Sequence, residues 1–263
     1  MRYQTLTIIM RILFLGTGTS TGIPSLCCPC DVCKSDDPRN KRLRASALIQ
    51  NNGFNVLIDT STDLRQQCLR HNITQVDGVL YTHHHADHVH GIDELRCFNF
   101  FNKTVIPCYG NDLTLSVIQK NFSYIFNGEK PMGGGVPKLD MITLDNQPFS
   151  LGGVQVTPVD ITHGNMTILG YKVNNAAYVT DCSGLPDKTK EILYGLDVLV
   201  LNALGFEPHA THFCLSESLA AIAELKPKRA ILTHINHKFD HETVGQDLPD
   251  NVELAYDGLT VDL

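Results

Sequence analysis

Residues 81–92, YTHHHADHVHGI, set five histidines and an aspartate within twelve positions of a chain that holds twelve histidines in all. Imidazole nitrogen and carboxylate oxygen suit zinc, manganese or iron, so the first chemistry this stretch suggests is metal binding. His83, His85, Asp87 and His88 form an HxHxDH pattern directly after the apolar run GVLYT. Alternation along an extended segment puts His83 and His85 on one side, and a tighter turn over residues 86–88 sends Asp87 and His88 to a neighbouring position. The pattern therefore provides half of two adjacent sites. A chance run of histidines on a solvated loop is the competing reading, and three further residues reduce its weight. VQVTPVDIT leads to His163, AAYVTD ends at Asp181 and RAILTH ends at His234. Each apolar run delivers one ligand-type side chain at its C-terminal end, where open α/β sheets place their sites.

A second cluster is built on sulfur. Cys28, Cys30 and Cys33 form CxCxxC, with Cys27 beside them but outside the pattern. Three thiolates at that spacing can hold three corners of a tetrahedral zinc, and His237, three residues after His234 in LTHINHKFD, is the candidate for the fourth. Nine cysteines, four of them within seven residues, are poor material for a secreted disulfide framework and suit thiolate ligation in a reducing compartment. Cys68, Cys97, Cys108, Cys182 and Cys214 are scattered and read as small buried hydrophobes. A hydrolytic site that expels an alkoxide needs a proton donor. His212, in HATHFCLSESLAAI between a strand-like run and a helical one, is the candidate, with His209 as second choice and a surface role for either as the alternative.

The elements that must position these groups follow from periodicity. Strand-like runs recur as RILFLGTG, ASALIQ, FNVLIDT, GVLYTH, VIPCYG, ITL, VQVTPVDIT, ILGYKV, AAYVTD, VLVLNAL, RAILTH and VELAYDG. Helical spacing shows in STDLRQQCLRH, GIDELRCFNFF, DLTLSVIQKNF, PDKTKEILYG and LSESLAAIAELK. Short strands alternate with helices and no linker or repeat divides the chain, so the reading is one α/β domain over 1–263 with helices covering sheets. In the insert 122–138, FSYIFNGEKPMGGGVPK, a triple-glycine run and two prolines argue against regular structure, as expected of a surface loop or one bordering the site. The basic run RNKRLR at 39–44 reads as a solvated face whose arginines could instead contact a substrate phosphate. A net charge of -7 and 43% hydrophobic residues give no global basic field to draw in polyanions. No segment approaches the roughly 18 apolar residues of a membrane helix. The opening residues read as a first strand rather than a signal peptide, and Met10 could serve as the native start. The expected location is the cytoplasm.

Taken together, the HxHxDH loop and the later His, Asp and His resemble the metallo-β-lactamase superfamily, an αβ/βα sandwich of two mixed sheets with helices on the outer faces. Carried over position by position, the resemblance implies that His83, His85 and His163 bind one metal, that Asp87, His88 and His234 bind a second, and that Asp181 bridges them. It further implies that Asp59, closing FNVLID, supports the metal loop through hydrogen bonds. His84 alternates away and His90 lies past the turn, so both fall outside the ligand set. Two divalent ions, zinc or manganese, held roughly 3.5–4 Å apart can activate one shared hydroxide and clamp both oxygens of a displacement at phosphorus.

Within that superfamily, the GTG opening, CxCxxC, THHHADHVHG, VTPVDITHG followed by GY, DCSGLP, LTHINHKFD and the closing DG resemble the PhnP-type phosphodiesterases over nearly the whole chain. That resemblance implies a structural zinc on Cys28, Cys30, Cys33 and His237, and a catalytic role for His212 beside Asp87 and Asp181. It also implies hydrolysis of a small phosphodiester, a cyclic one included, the best-known member opening 5-phosphoribosyl 1,2-cyclic phosphate. The expected partner is the small phosphodiester, with a homodimer as candidate assembly and neither nucleic acid nor membrane. A ribonuclease like the tRNA 3′-processing enzymes is one alternative, disfavoured by the acidic charge and by an insert that holds two lysines. A non-catalytic accessory protein of cofactor biosynthesis is another, disfavoured by the intact set of seven ligands.

Overall fold

The computed structural model describes residues 10–128 and 135–263. Six strands follow one another through the first half: β1 (Arg11–Gly16), β2 (Ser46–Asn51), β3 (Phe54–Ile58), β4 (Gly78–Leu80), β5 (Ile106–Gly110) and β6 (Leu139–Thr143). Seven more form a second sheet: β7 (Phe149–Leu151), β8 (Val154–His163), β9 (Met166–Val173), β10 (Ala176–Val179), β11 (Val198–Asn202), β12 (Arg229–Thr233) and β13 (Val252–Leu254). The last strand, β14 (Thr260–Asp262), returns to the first sheet beside β1, so each sheet has seven strands. β3 to β6 run parallel, as do β10 to β13, while the remaining neighbours are antiparallel. This is the expected sandwich of two mixed sheets.

The central strands β1 to β4 and β10 to β12 read as continuous apolar runs because they are covered on both faces. Along β1, Ile12 and Phe14 enter the core between the sheets, whereas Leu13 and Leu15 enter a core under helices. β11 splits the same way, with Val198 and Val200 facing the other sheet and Leu199 and Leu201 facing helices. On the outside of the first sheet lie α2 (Leu64–Arg70), α4 (Leu95–Asn102) and α5 (Asp112–Asn121). On the outside of the second lie α7 (Asp187–Leu193), α8 (Leu215–Leu225) and α9 (His241–Gln246). Three single-turn helices complete the set: α1 (Asp31–Lys34), α3 (Ala86–Val89) and α6 (Ser123–Phe126).

Several expectations need correction. β7 and β14 are three residues each, too short for a pattern to show, although the Gly152-Gly153 pair between Leu151 and Val154 is a hairpin signal. Both glycines have positive φ, and a Cβ on Gly152 would lie 2.0 Å from the Phe54 ring. The insert is not wholly irregular, since α6 occupies its start; residues 129–134 and the opening 1–9 lie outside the described residues. The basic run is no solvated face. Arg42 is fully buried, donating to the Thr17 hydroxyl at 2.8 Å and to the Ala255 carbonyl, with His241 Nδ1 3.0 Å away. Arg39 pairs with Asp37 and Glu242, and Arg44 with Asp63. These guanidinium groups pin loops together, which speaks against the substrate contact once allowed for them. Cys97 is exposed and Cys68 half-buried, while Cys108, Cys182 and Cys214 are buried as expected. No helix among the described residues is long and apolar enough to cross a membrane.

The two sheets are joined at the level of the histidine loop. The Tyr171 hydroxyl donates to the Tyr81 carbonyl at 2.6 Å, and Leu169 N donates to the Thr82 carbonyl at 3.0 Å. Both are buried, so removing one partner leaves an unpaired polar group. Tyr171→Phe is expected to destabilise the protein by about 1–3 kcal/mol, read as a lower denaturation midpoint in urea with unchanged slope.

Candidate metal centres

The site forms where strand ends of both sheets meet. β4 runs into Tyr81 and Thr82 and then into the histidine loop, whose second half winds into α3 and carries Asp87 and His88 on that single turn. β8 ends on His163, Asp181 lies two residues past β10, and His234 follows β12 directly. Asp59, Asp181 and His234 all adopt left-handed backbone, with φ of 60°, 57° and 55°. Asp and His tolerate that region better than most residues, and its repeated use at one site marks a functional constraint. It turns each side chain off its strand line toward one centre. Gly91 closes the loop, since a Cβ there would stand 2.1 Å from the Ser61 carbonyl oxygen.

Four overlapping trios of histidine and aspartate have ligand atoms within 4.8 Å of one another. His83, His85 and His163 form the first, Asp87, His88 and His234 the second, and Asp181 joins His83 and His88 in the third and His163 and His212 in the fourth. Asp181 faces His88 Nε2 with one oxygen at 3.3 Å and His234 Nε2 with the other at 3.2 Å. The imidazoles are oriented from behind. His83 Nδ1 lies 3.0 Å from the Thr82 hydroxyl, which itself donates to Asp59 at 2.7 Å. His88 Nδ1 donates to Asp59 Oδ2 at 2.7 Å, and His163 Nδ1 donates to the Thr211 carbonyl at 2.8 Å. With Nδ1 protonated and engaged, each Nε2 lone pair is free to bind a cation. The Nε2 atoms of His83, His88 and His234 are buried and accept no hydrogen bond among the described residues. His85 Nδ1 faces His163 Nε2 at 3.3 Å. The donor set fits divalent metal.

Electrostatics make the same point. Burial pushes the Asp59 carboxyl up against the pull of His88. Burial opposes ionisation of Asp87 and Asp181 too, yet the surrounding imidazoles prevail and hold both well below the ordinary carboxylate range. His88, though fully buried, is held well above the usual imidazole range because Asp181, Asp87 and Asp59 surround it. Three buried carboxylates thus create a demand for cations that the histidines alone meet by taking up protons. His212 lies beside this centre. Its Nε2 donates to Asp181 Oδ1 at 2.9 Å, and its Nδ1 lies 2.8 Å from the Thr211 hydroxyl. Burial lowers its pKa although Asp181 pulls the other way. His209, the second choice, is exposed, with Nδ1 3.3 Å from His212 Nδ1.

The thiol cluster lies close in sequence and separate in space. Cys28, Cys30, Cys33 and His237 bring their ligand atoms within 4.8 Å of one another, with Cys28 and Cys30 Sγ at 3.2 and 3.4 Å from His237 Nδ1. The hydrogen bond from His237 lowers the Cys30 pKa to about 6, whereas burial raises Cys33 to about 11. Neighbouring thiols of such unequal acidity need a cation to ionise together, which a tetrahedral zinc would supply.

The structure therefore brings together every residue singled out for the two clusters and leaves Cys27 exposed beside them. His90 is exposed against Phe122, and His84 is half-buried with its ring 5.8 Å from that of His85, in none of the trios. Thr82 and Thr211 went unread in the sequence. The signal was available in the dipeptide TH, which recurs at 82–83, 162–163, 211–212 and 233–234.

Comparison with known proteins agrees with this geometry. Residues 54–235 match the model of the beta-lactamase superfamily domain. A crystal structure described as a new diphosphatase from the PhnP family superposes with a TM-score of 0.91 at 39% identity, covering 97% of this chain and 98% of that one. The chain is 35% identical to an octanoyltransferase of Porphyromonas gingivalis over 95% of its own length but spans only 51% of that relative. It is 32% identical to coenzyme PQQ synthesis protein B of Rhodopseudomonas palustris, covering 87% of this chain and 90% of the relative.

Asp59 binds no candidate ion itself yet fixes both His88 and, through Thr82, His83. Asp59→Asn is expected to weaken divalent-metal affinity about 10–100-fold in competition with a chromophoric chelator. Unchanged affinity would remove it from the support of the site.

Proposed function

Since the chain belongs to the metallo-β-lactamase superfamily, we propose that it is a metal-dependent hydrolase of a small phosphodiester or diphosphate ester, cyclic phosphates included. The observation that carries this reading is Asp181, whose carboxylate lies within 4.8 Å of ligand atoms of His83 and His163 from the first trio and of His88 from the second, with His212 Nε2 2.9 Å from one of its oxygens. Likeness to a PhnP-family diphosphatase at 39% identity supports chemistry at phosphorus.

His83, His85 and His163 would hold one divalent ion, zinc or manganese, Asp87, His88 and His234 a second, and Asp181 both. Such a pair supplies Lewis acidity and a nucleophilic water. Two divalent charges exceed the two negative charges of Asp87 and Asp181, so the centre favours an anionic ester. The chain's own part is orientation and proton delivery. Asp59 and the Thr211 carbonyl fix His88 and His163. His212, protonated on both ring nitrogens, would give its Nε2 proton to the departing oxygen and be left as the neutral Nδ1–H form, which the Thr211 hydroxyl can accept from. Cys28, Cys30, Cys33 and His237 would hold a separate structural zinc. Thiolates in that role require a reducing compartment, and the cytoplasm is the proposed location.

An accessory role in cofactor biosynthesis is the second reading, favoured by the 32% identity to a coenzyme PQQ synthesis protein B. Metal analysis separates them: three equivalents per chain, falling by one in Cys30→Ser, support the hydrolase, and a single thiolate-bound zinc overturns it. A ribonuclease is disfavoured by the net charge of -7. The octanoyltransferase likeness covers half of that protein, so its printed activity is not assigned to this chain.

Metal-loaded protein should hydrolyse bis(p-nitrophenyl) phosphate, and Asp181→Ala should abolish this; full retention of activity would refute the bridging role. His212→Ala should slow esters with alkyl leaving groups by about 10²–10⁴-fold. Aryl esters, whose leaving groups need no proton, should lose less than about tenfold, and equal losses on both would exclude a general acid.

A further inference from the structure

In the parallel set β10 to β12, the two flanking strands lead to ligand residues, Asp181 and His234, while the strand between them ends on Asn202. Asn202 is fully buried, and its amide is turned into the backbone on either side of it. Oδ1 accepts from Cys182 N at 2.6 Å, and Nδ2 donates to the Cys182 carbonyl at 3.2 Å and to the Phe213 carbonyl at 3.5 Å. Phe213 N donates to that same Cys182 carbonyl at 2.6 Å. One side chain thus accepts from one N–H and donates to two carbonyls. A neutral amide can do this, whereas aspartate lacks the paired donors and leucine lacks both functions.

We infer that Asn202 is the positioning residue that fixes His212 against Asp181, an inference that deepens the general-acid reading of His212 and rests on it. His212 closes a loop whose residues 206–210 are exposed, so its place depends on anchors at the end of that loop. On one side the Thr211 carbonyl accepts from His163 Nδ1 at 2.8 Å. On the other, Phe213 is tied to Cys182 directly and through Asn202. Cys182 follows Asp181 and Phe213 follows His212, so this second tie sets the register between proton donor and bridging carboxylate. Asn202 is itself held: the Ser218 hydroxyl donates to its carbonyl at 2.6 Å, and the next residue, Ala203, donates from N to the Thr233 carbonyl at 3.0 Å, beside His234. Buried polar groups are costly to leave unpaired, so a network of this kind has one arrangement. The 2.9 Å contact between His212 Nε2 and Asp181 Oδ1 is therefore set through the backbone of their neighbours.

Asn202→Asp keeps the shape and the acceptor but gives up the paired N–H donors. In metal-loaded protein of unchanged metal content, it should lower kcat about 10–100-fold on 5-phosphoribosyl 1,2-cyclic phosphate, which expels a ribose alkoxide. KM should be unchanged, and bis(p-nitrophenyl) phosphate, whose leaving group needs no proton, should be slowed distinctly less. Added to His212→Ala, the substitution should cause no further loss on the cyclic ester, since the two act through one group. Without any substrate, the ring resonances of His212 in protein carrying ¹⁵N-histidine should shift, while those of His83 and His88, held by Thr82 and Asp59, stay in place. Asn202→Ser, shorter and uncharged, carries the same expectations should the aspartate variant not fold. Equal losses on both esters in His212→Ala would refute the proton donor and this proposal with it. With that donor upheld, equal losses on both esters in Asn202→Asp, losses that multiply with those of His212→Ala, or unmoved His212 resonances would each overturn the role of Asn202 alone.

Discussion

Everything in this fold answers to the burial of three carboxylates at one point. Asp59, Asp87 and Asp181 lie in the interior, and among the described residues their ionic partners are histidines alone, with no lysine or arginine. Placing uncompensated charge in a protein interior costs several kcal/mol per ion, so such a cluster persists only where cations can meet it. The surrounding architecture provides rigid walls to hold the cluster and imidazole lone pairs to share the cation.

The walls come from a simple alternation. Because successive strand residues point to opposite faces, one run such as Ile12 to Leu15 fills two cores at once, one against the other sheet and one against helices. Sheets built this way cannot slip without moving every side chain to the wrong core. The strand ends are then fixed relative to one another, and the ligand side chains with them. The cross-sheet bonds at Tyr81 and Thr82 set the depth at which the histidine loop meets its partners.

Much of this was legible in the sequence. Apolar runs long enough to show a period became strands, and ligand-type residues at their ends converged as their positions implied. What was not legible depended on backbone geometry or on partners distant in sequence. That Asp59, Asp181 and His234 leave their strands through left-handed backbone has no signature in residue type, since aspartate and histidine adopt other conformations more often. Arg42 looked like one member of a charged run, and only packing against Thr17, Ala255 and His241, far along the chain, buries it. Cys97 was read as buried because cysteine usually is, but it falls on the outward face of its helix. Strands of three residues are shorter than any window in which alternation can be recognised.

The division of ligands between the two sheets has a meaning for how the molecule matures. His83, His85, Asp87 and His88 come from the first sheet, and His163, Asp181 and His234 from the second. A half-built sandwich offers at most two arms of His83, His85 and His163 or of Asp87, His88 and His234, and the affinity gained from the third, pre-positioned arm of either is an effective-concentration advantage that exists only after the halves have met. Tight ion capture is thus an inspection that only a correctly closed chain passes, and a misassembled copy stays empty and hence chemically silent rather than becoming a poorly controlled hydrolase.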